Sequence, residues 1–138
     1  MVKKCLLLIA ILLISCSEYS REFEIHYTNG KIRYKKFCSQ CHGKNGEGYK
    51  ELYPPLKNIV FKDFNLQQTI CITKYGYEDT LTILNNGKLY KYVVPMPAMK
   101  ELTPQDIAFL MTFMYSEYAN KTKVFKTEEI KKYLEKCR

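Results

Sequence analysis

The feature that most constrains this chain is a five-residue stretch, Cys38-Ser39-Gln40-Cys41-His42. Cys-x-x-Cys-His is the pattern at which haem is attached to a polypeptide through two thioether bonds. Two cysteines three residues apart lie on one face of a helix, where both can reach the vinyl groups of a single porphyrin. The adjacent histidine can then give its imidazole to the iron. The spacing predicts one covalently bound haem c, attached at Cys38 and Cys41, with His42 as an axial ligand.

Two other uses of paired cysteines fit this sequence less well. A zinc site needs further cysteines or histidines at ligand spacing, and His26 is the only other histidine in the chain. A thioredoxin-like redox pair is expected in a βαβ unit, and no such pattern follows the motif. Haem attachment is therefore the favoured interpretation.

The amino terminus has the features of an export signal. A short basic stretch, Met1 to Lys4, precedes an apolar run of ten residues from Cys5 to Ile14. Ten residues at 1.5 Å per residue cover only about half of a 30 Å hydrocarbon core, so the run is too short for a stable transmembrane helix. The pattern is typical of a removable signal peptide.

The apolar run ends in Leu13-Ile14-Ser15-Cys16, which resembles the lipobox of bacterial lipoproteins. That resemblance implies that residues 1–15 are removed and that Cys16 is acylated, which anchors the chain to a membrane. We then expect a protein of the cell envelope that faces the periplasmic or extracytoplasmic side. An ordinary secretory signal is the alternative. Residues 16–28 are polar and mixed in charge, and they predict a lipidated tether in which His26 is a surface residue.

The residues around the motif resemble the class I cytochromes c, which are small single-haem electron carriers. Gly30 and Tyr34 share a helical stripe with Cys38, and Asn29 could cap that helix. Thr103-Pro104-Gln105-Asp106 resembles a capping box that starts a last helix. In this family the first and last helices cross where an aromatic side chain packs over a glycine. The matching positions are Gly30 and Tyr34 against Leu110 and Phe113, and the resemblance covers residues 29–118.

The resemblance also implies a second axial ligand on the iron. In the family a methionine from a proline-rich loop before the last helix serves this purpose, and Val94-Pro95-Met96-Pro97-Ala98-Met99 stands at that place. The family pattern matches Met96, whereas Met99 is expected to pack beneath the loop. Met111 and Met114 lie on a helical stripe and are expected in the core. Ligation by two histidines, with His26 as the second, is the remaining alternative.

A hydrogen bond to the ligand histidine is implied in the same way. Tyr53-Pro54-Pro55-Leu56 resembles the family segment in which a proline carbonyl accepts the imidazole N–H. Such a bond fixes the tautomer of the ring and tunes the iron. The alignment of this segment favours Pro54.

The remaining patterns predict the fold. With 46% hydrophobic and 26% charged residues, the 138-residue chain has the composition of one globular domain. Residues 65–75 predict a helix that stops at Gly76, and residues 80–93 predict a β-hairpin that turns at Asn85-Asn86-Gly87-Lys88. We expect a mainly α, class I cytochrome c fold with three to four helices around the haem. The hairpin would be an insertion before the methionine loop, and residues 119–138 a C-terminal extension.

Two cysteines remain after the others are assigned, Cys71 on the middle helix and Cys137 near the end of the chain. In an oxidising compartment they are expected to form a disulfide that fastens the extension to the domain. A buried free Cys71 and an intermolecular bridge through Cys137 are the alternatives.

These features predict an electron carrier rather than an enzyme. The net charge of +8 falls to +6 without residues 1–15, which hold two lysines and no acid. This charge suits redox partners with acidic docking patches, and Lys44, Lys50 and Lys57 are candidates for the docking surface. A haem-bearing subunit docked in an oxidoreductase complex is the alternative. A peroxidase would need an open iron position and distal acid–base groups, which the sequence does not offer, and nucleic acid is not an expected partner of an exported lipoprotein.

Overall fold

The computed structural model describes residues 21–57, 65–85 and 88–137. Within these ranges the chain is mainly helical, with one two-stranded hairpin. The elements in chain order are α1 (helical from residue 21, the first described, to 37), α2 (Ser39–His42), α3 (Leu66–Tyr75), β1 (Leu81–Asn85), β2 (Lys88–Tyr92), α4 (Pro104–Ala119) and α5 (Thr127–Leu134). The predicted signal peptide, Cys16 and the turn residues 86–87 lie outside the described part of the chain.

Helices α1 and α4 cross at Gly30, as predicted. A Cβ atom on Gly30 would lie 2.1 Å from the Phe109 carbonyl oxygen and 2.6 Å from Phe113 Cβ, so only glycine allows this approach. The Tyr34 ring lies 5.4 Å from the Phe113 ring beside the crossing. A salt bridge of 2.5 Å between Arg33 and Asp106 closes one side of the contact. The first helix is thereby fixed against the last.

The start of α1 corrects one expectation. Residues 21–28 are helical and do not form a tether, and His26 is buried rather than on the surface. Its ring meets Phe109 edge-on with centroids 4.7 Å apart, while Tyr27 packs on Phe113 at 5.3 Å. Asn29 is not a helix cap, because its Nδ2 donates to the Ile25 carbonyl within the helix. The apolar side chains at helical spacing in this polar segment extend α1 across α4.

The caps of α3 and α4 explain their starting points. Asn65 and Gln68 form a reciprocal capping box at α3, and Thr103 and Asp106 form one at α4 with Pro104 in the first turn. Burial would raise the pKa of Asp106, but hydrogen bonds from Thr103 and Arg33 outweigh this effect and lower it. Both boundaries agree with the sequence prediction because capping is a local interaction.

The hairpin is confirmed as an insertion between α3 and the methionine loop. Its antiparallel register pairs Leu81 with Tyr92 and Ile83 with Tyr90, which places these four side chains on one face. The opposite face carries Leu89 and Val93, which are 66% and 62% exposed. Among the described side chains of the hairpin, the buried ones, Ile83 and Tyr92, therefore lie on one face.

The C-terminal extension is part of the core. Phe125 and Ile130 are fully buried, and α5 packs on α3 and α4. The Sγ atoms of Cys71 and Cys137 form a disulfide between α3 and the residues that follow α5. No helix among the described residues has both the length and the apolar character needed to cross a membrane.

Candidate haem-binding site

One apolar cavity is lined by most of the site residues that were predicted from the sequence. Its volume is about 120 Å³, and it opens to solvent. Its walls come from the end of α1, from α2, α3, the hairpin, the methionine loop and α4. The apolar part of the wall includes Phe37, Leu56, Ile72, Leu81, Leu110 and Met114.

The two motif cysteines line this cavity and form no disulfide. The backbone between them is helical, with the N–H groups of Cys41 and His42 both donating to the Cys38 carbonyl at 3.2 and 2.9 Å. Burial raises the pKa of the Cys38 thiol to about 12. Catalytic redox pairs have a lowered thiol pKa, so this environment disfavours the thioredoxin-like interpretation.

His42 is held by a hydrogen bond on the outer side of its ring. Its Nδ1 lies 2.9 Å from the Pro54 carbonyl oxygen, which can only accept, so Nδ1 carries the proton and donates. Burial lowers the pKa of His42, and the bond to Pro54 opposes this shift. The ring is thus favoured in the neutral form with the lone pair on Nε2, which is the form that binds a metal.

The backbone on both sides of this hydrogen bond is also fixed. The Tyr34 hydroxyl donates to the Gly43 carbonyl at 2.7 Å, and the Gly48 N–H donates to the His42 carbonyl at 2.8 Å. Gly48 has φ +73°, and a Cβ there would lie 2.6 Å from the Tyr53 carbonyl oxygen. A glycine is therefore needed to bring the Pro54 segment back against α2.

Another part of the wall is formed by the methionine loop. Met96 and Tyr77 exchange backbone hydrogen bonds of 2.8 and 2.9 Å, which tie the two ends of the hairpin insertion together. Gly76 has φ +82°, and a Cβ there would lie 2.6 Å from the Met96 carbonyl oxygen. The backbone of Met96 is thereby held at the cavity by two residues at the end of α3.

The cavity wall includes both candidate methionines of the loop. Met99 also packs against the main hydrophobic core, and its carbonyl accepts from the Leu102 N–H at 3.1 Å, at the approach to α4. Met111 is fully buried in the core, and Met114 belongs to both the core and the wall. His26 is not among the described residues that line the cavity.

The wall also contains polar residues that were not predicted from the sequence. They are Thr69, Thr73, Tyr77, Asp79 and Tyr92, contributed by α3, the hairpin and the segment between them. Tyr92 could have been predicted, because it pairs with Leu81 across the hairpin and lies on the same face. The other four line the cavity only as a result of tertiary packing. Lys44, Lys50 and Lys57 are exposed, and none of them lines the cavity.

The residues present fit a covalently attached haem. Two thiols, an imidazole with a fixed outer hydrogen bond and a thioether share one cavity, and most of its wall is apolar. An apolar wall can bury a porphyrin, and nitrogen and sulfur atoms are the usual axial donors to haem iron. The fold and this set of side chains define a small haem-binding electron-transfer domain.

Comparison with known proteins places the chain in a family. Residues 27–117 match the family model described as Cytochrome c, and the chain belongs to this family as a class I c-type cytochrome. Cytochrome c-552 of Thermus thermophilus is 27% identical over 104 residues, which cover 69% of this chain and 76% of that protein. Fructose dehydrogenase cytochrome subunit of Gluconobacter japonicus is 26% identical over 106 residues, which cover 75% of this chain but only 21% of that protein.

Membership of this family identifies the cofactor as haem c and the general role as electron transfer. The chain binds haem c covalently, and it acts in electron transfer with redox partners.

Proposed function

We propose that the chain is a monohaem carrier of single electrons, attached to haem through Cys38 and Cys41 and ligated by His42 and Met96. When bound, haem c supplies one iron that can take up and release one electron. The observation that carries the proposal is that both candidate ligands line one cavity, each with its own supporting contact.

The chain's own residues account for the properties that a carrier needs. The Pro54 carbonyl orients the His42 imidazole and increases its electron donation, while the methionine thioether favours the reduced state relative to a second nitrogen ligand. With His42 and Met96 both bound to the iron, no position would remain open for a substrate, and the apolar wall would limit the contact of the haem with water. Little therefore has to rearrange when the charge changes by one unit.

Met96 is proposed over Met99 because of the contacts of its backbone. The Tyr77 bridge and Gly76 fix the position of Met96, whereas Met99 is engaged with the core and with Leu102. A ligand must be held in a defined place for a weak iron–sulfur bond to persist, and Met96 meets that condition.

The lipid anchor completes the proposal. We place the protein in the cell envelope, tethered through acylated Cys16 on the periplasmic or extracytoplasmic side, where it would exchange electrons with other redox proteins. Lys44 and Lys57 are exposed and close in sequence to the wall residues His42 and Leu56, so a partner with an acidic patch would suit this edge.

The second candidate function is that of a haem-bearing subunit within an oxidoreductase complex. The similarity to a fructose dehydrogenase cytochrome subunit and the exposed apolar face at Leu89 and Val93 favour it. Purification from native membranes separates the two, since a subunit brings stoichiometric partner chains and a free carrier does not.

Spectroelectrochemical titration of the purified full chain tests the carrier function. One haem per chain and a Nernst slope of one electron are expected, and electron transfer to an acidic partner should slow as salt is raised. A haem that stays high-spin and binds peroxide in both states would contradict the proposal, because it would reveal an open iron position.

A further inference from the structure

The outward side of α1 is unlike the other exposed helix faces, because it alternates cations with large apolar side chains. Ile25 and Ile32 are 51% and 59% exposed. Arg21 and Lys36, at the two ends, are also exposed. At about 100° per residue these four positions fall within ~60° of one another on the helix. We call these four residues the α1 outer face.

The charges near this face are predominantly positive. Exposed Lys35 borders it, and the ammonium group of Lys36 sits 4.8 Å from the Phe37 ring centroid. Two nearby carboxylates have contacts of their own. Glu22 pairs with Lys126, and Glu24 accepts a hydrogen bond of 3.4 Å from Thr28. Exposed isoleucines flanked by basic side chains are the composition of a helix that lies at a phospholipid surface.

The proposed anchor brings this face to such a surface. Only five peptide units separate Cys16 from Arg21. Fully extended, they reach at most about 18 Å, whereas a 17-residue helix such as α1 is about 25 Å long. An acyl anchor on Cys16 would therefore hold Arg21 within about 18 Å of the bilayer, which is less than the length of α1.

We propose that α1 lies along an anionic bilayer, with Ile25 and Ile32 in the headgroup region and Arg21, Lys35 and Lys36 against lipid phosphates. The inference rests on the proposed acylation of Cys16. None of these five side chains is among the described residues that line the haem cavity.

Lysine footprinting of the acylated holoprotein tests the orientation. The protein is placed in vesicles of phosphatidylglycerol and phosphatidylethanolamine, treated with a water-soluble acetylating reagent and mapped by mass spectrometry. At low salt the labelling of Lys35 and Lys36 should slow by about fivefold relative to Lys91 and Lys121, and high salt or pure phosphatidylcholine should remove the difference.

A pair of matched variants tests the apolar part of the contact. Ile25→Gln/Ile32→Gln removes two exposed aliphatic side chains from the α1 outer face, and Leu89→Thr/Val93→Thr removes two from the hairpin. The first variant should lose the protection of Lys35 and Lys36, and the second should keep it. Haem absorption and the thermal midpoint check that both remain folded.

The outcomes separate this inference from the proposed function. An N-terminal peptide without acyl chains contradicts the anchor, and with it the placement of α1 on lipid. An acylated protein that floats with the vesicles but labels evenly contradicts the orientation alone. Protection that survives Ile25→Gln/Ile32→Gln contradicts it as well.

Discussion

The side of the cavity that carries His42 is built from neighbouring residues, whereas the side that carries Met96 is assembled from distant ones. His42 is next to the attachment cysteines, and its hydrogen-bond acceptor Pro54 is twelve residues away. Met96 is held by Tyr77 across the hairpin insertion, on a wall that also depends on the disulfide to Cys137. The side with His42 is therefore fixed by local geometry, whereas substitutions far from Met96 in sequence can alter the side with Met96.

The largest effect is expected at the attachment point. Cys38→Ala/Cys41→Ala should abolish covalent haem, since both thioether bonds are lost. Haem staining of a denaturing gel measures this. The control Cys71→Ser/Cys137→Ser removes the same number of cysteines and should keep the stain. A stained Cys38→Ala/Cys41→Ala band would show that the haem is held elsewhere.

The second effect distinguishes the two loop methionines. Met96→Ala should abolish the near-infrared sulfur-to-iron charge-transfer band of the oxidised protein. It should also lower the reduction potential by on the order of 0.1 V, a part of the ~0.8 V that axial ligands can span. Met99→Ala is the matched control and should retain the band. The opposite result would assign the ligand to Met99.

The third effect concerns the disulfide that ties α5 to the wall of the cavity at α3. The bridge spans 66 residues of chain, and Cys71→Ser/Cys137→Ser should reduce the free energy of unfolding by about 2–5 kcal/mol. Chemical denaturation followed by circular dichroism measures the loss, while the haem remains attached. A change below about 0.5 kcal/mol would mean that the packing of Phe125 and Ile130 alone holds the extension in place.

The smallest effect compares alanine substitutions at two glycines that have positive φ angles. Gly76→Ala should cost about 1–3 kcal/mol of stability, because its φ is +82° and its Cβ would meet the Met96 carbonyl oxygen. It should also weaken the charge-transfer band. Gly48→Ala has a similar φ and a similar clash with the Pro54 segment, so it should lose stability while keeping the band. Equal loss of the band in both would show that the two sides are not independent.

The same contrast explains what the sequence could reveal. The attachment motif, the capping box of α4, the helix over residues 65–75 and the hairpin all depend on residues close in sequence, and each is present in the structure at the predicted place. The crossing of α1 and α4 at Gly30 is long-range, and it was predicted from the resemblance to class I cytochromes c and not from local pattern.

What escaped prediction depends on packing between distant segments. The polar run before Asn29 folds as helix because Tyr27 and His26 meet Phe113 and Phe109, more than 80 positions away. Thr73 and Tyr77 line the cavity because the end of α3 lies beside the methionine loop, where Tyr77 pairs with Met96. No local periodicity shows that Tyr77 and Thr73 line the cavity.

The near-infrared spectrum of the oxidised wild-type holoprotein tests the ligation of the haem iron by His42 and Met96. With His42 and Met96 on one haem, the spectrum should show the sulfur-to-iron charge-transfer band, at one haem per chain, and reduction should abolish it. A spectrum of iron ligated by two nitrogens, or of a high-spin iron with an open position, would contradict the account.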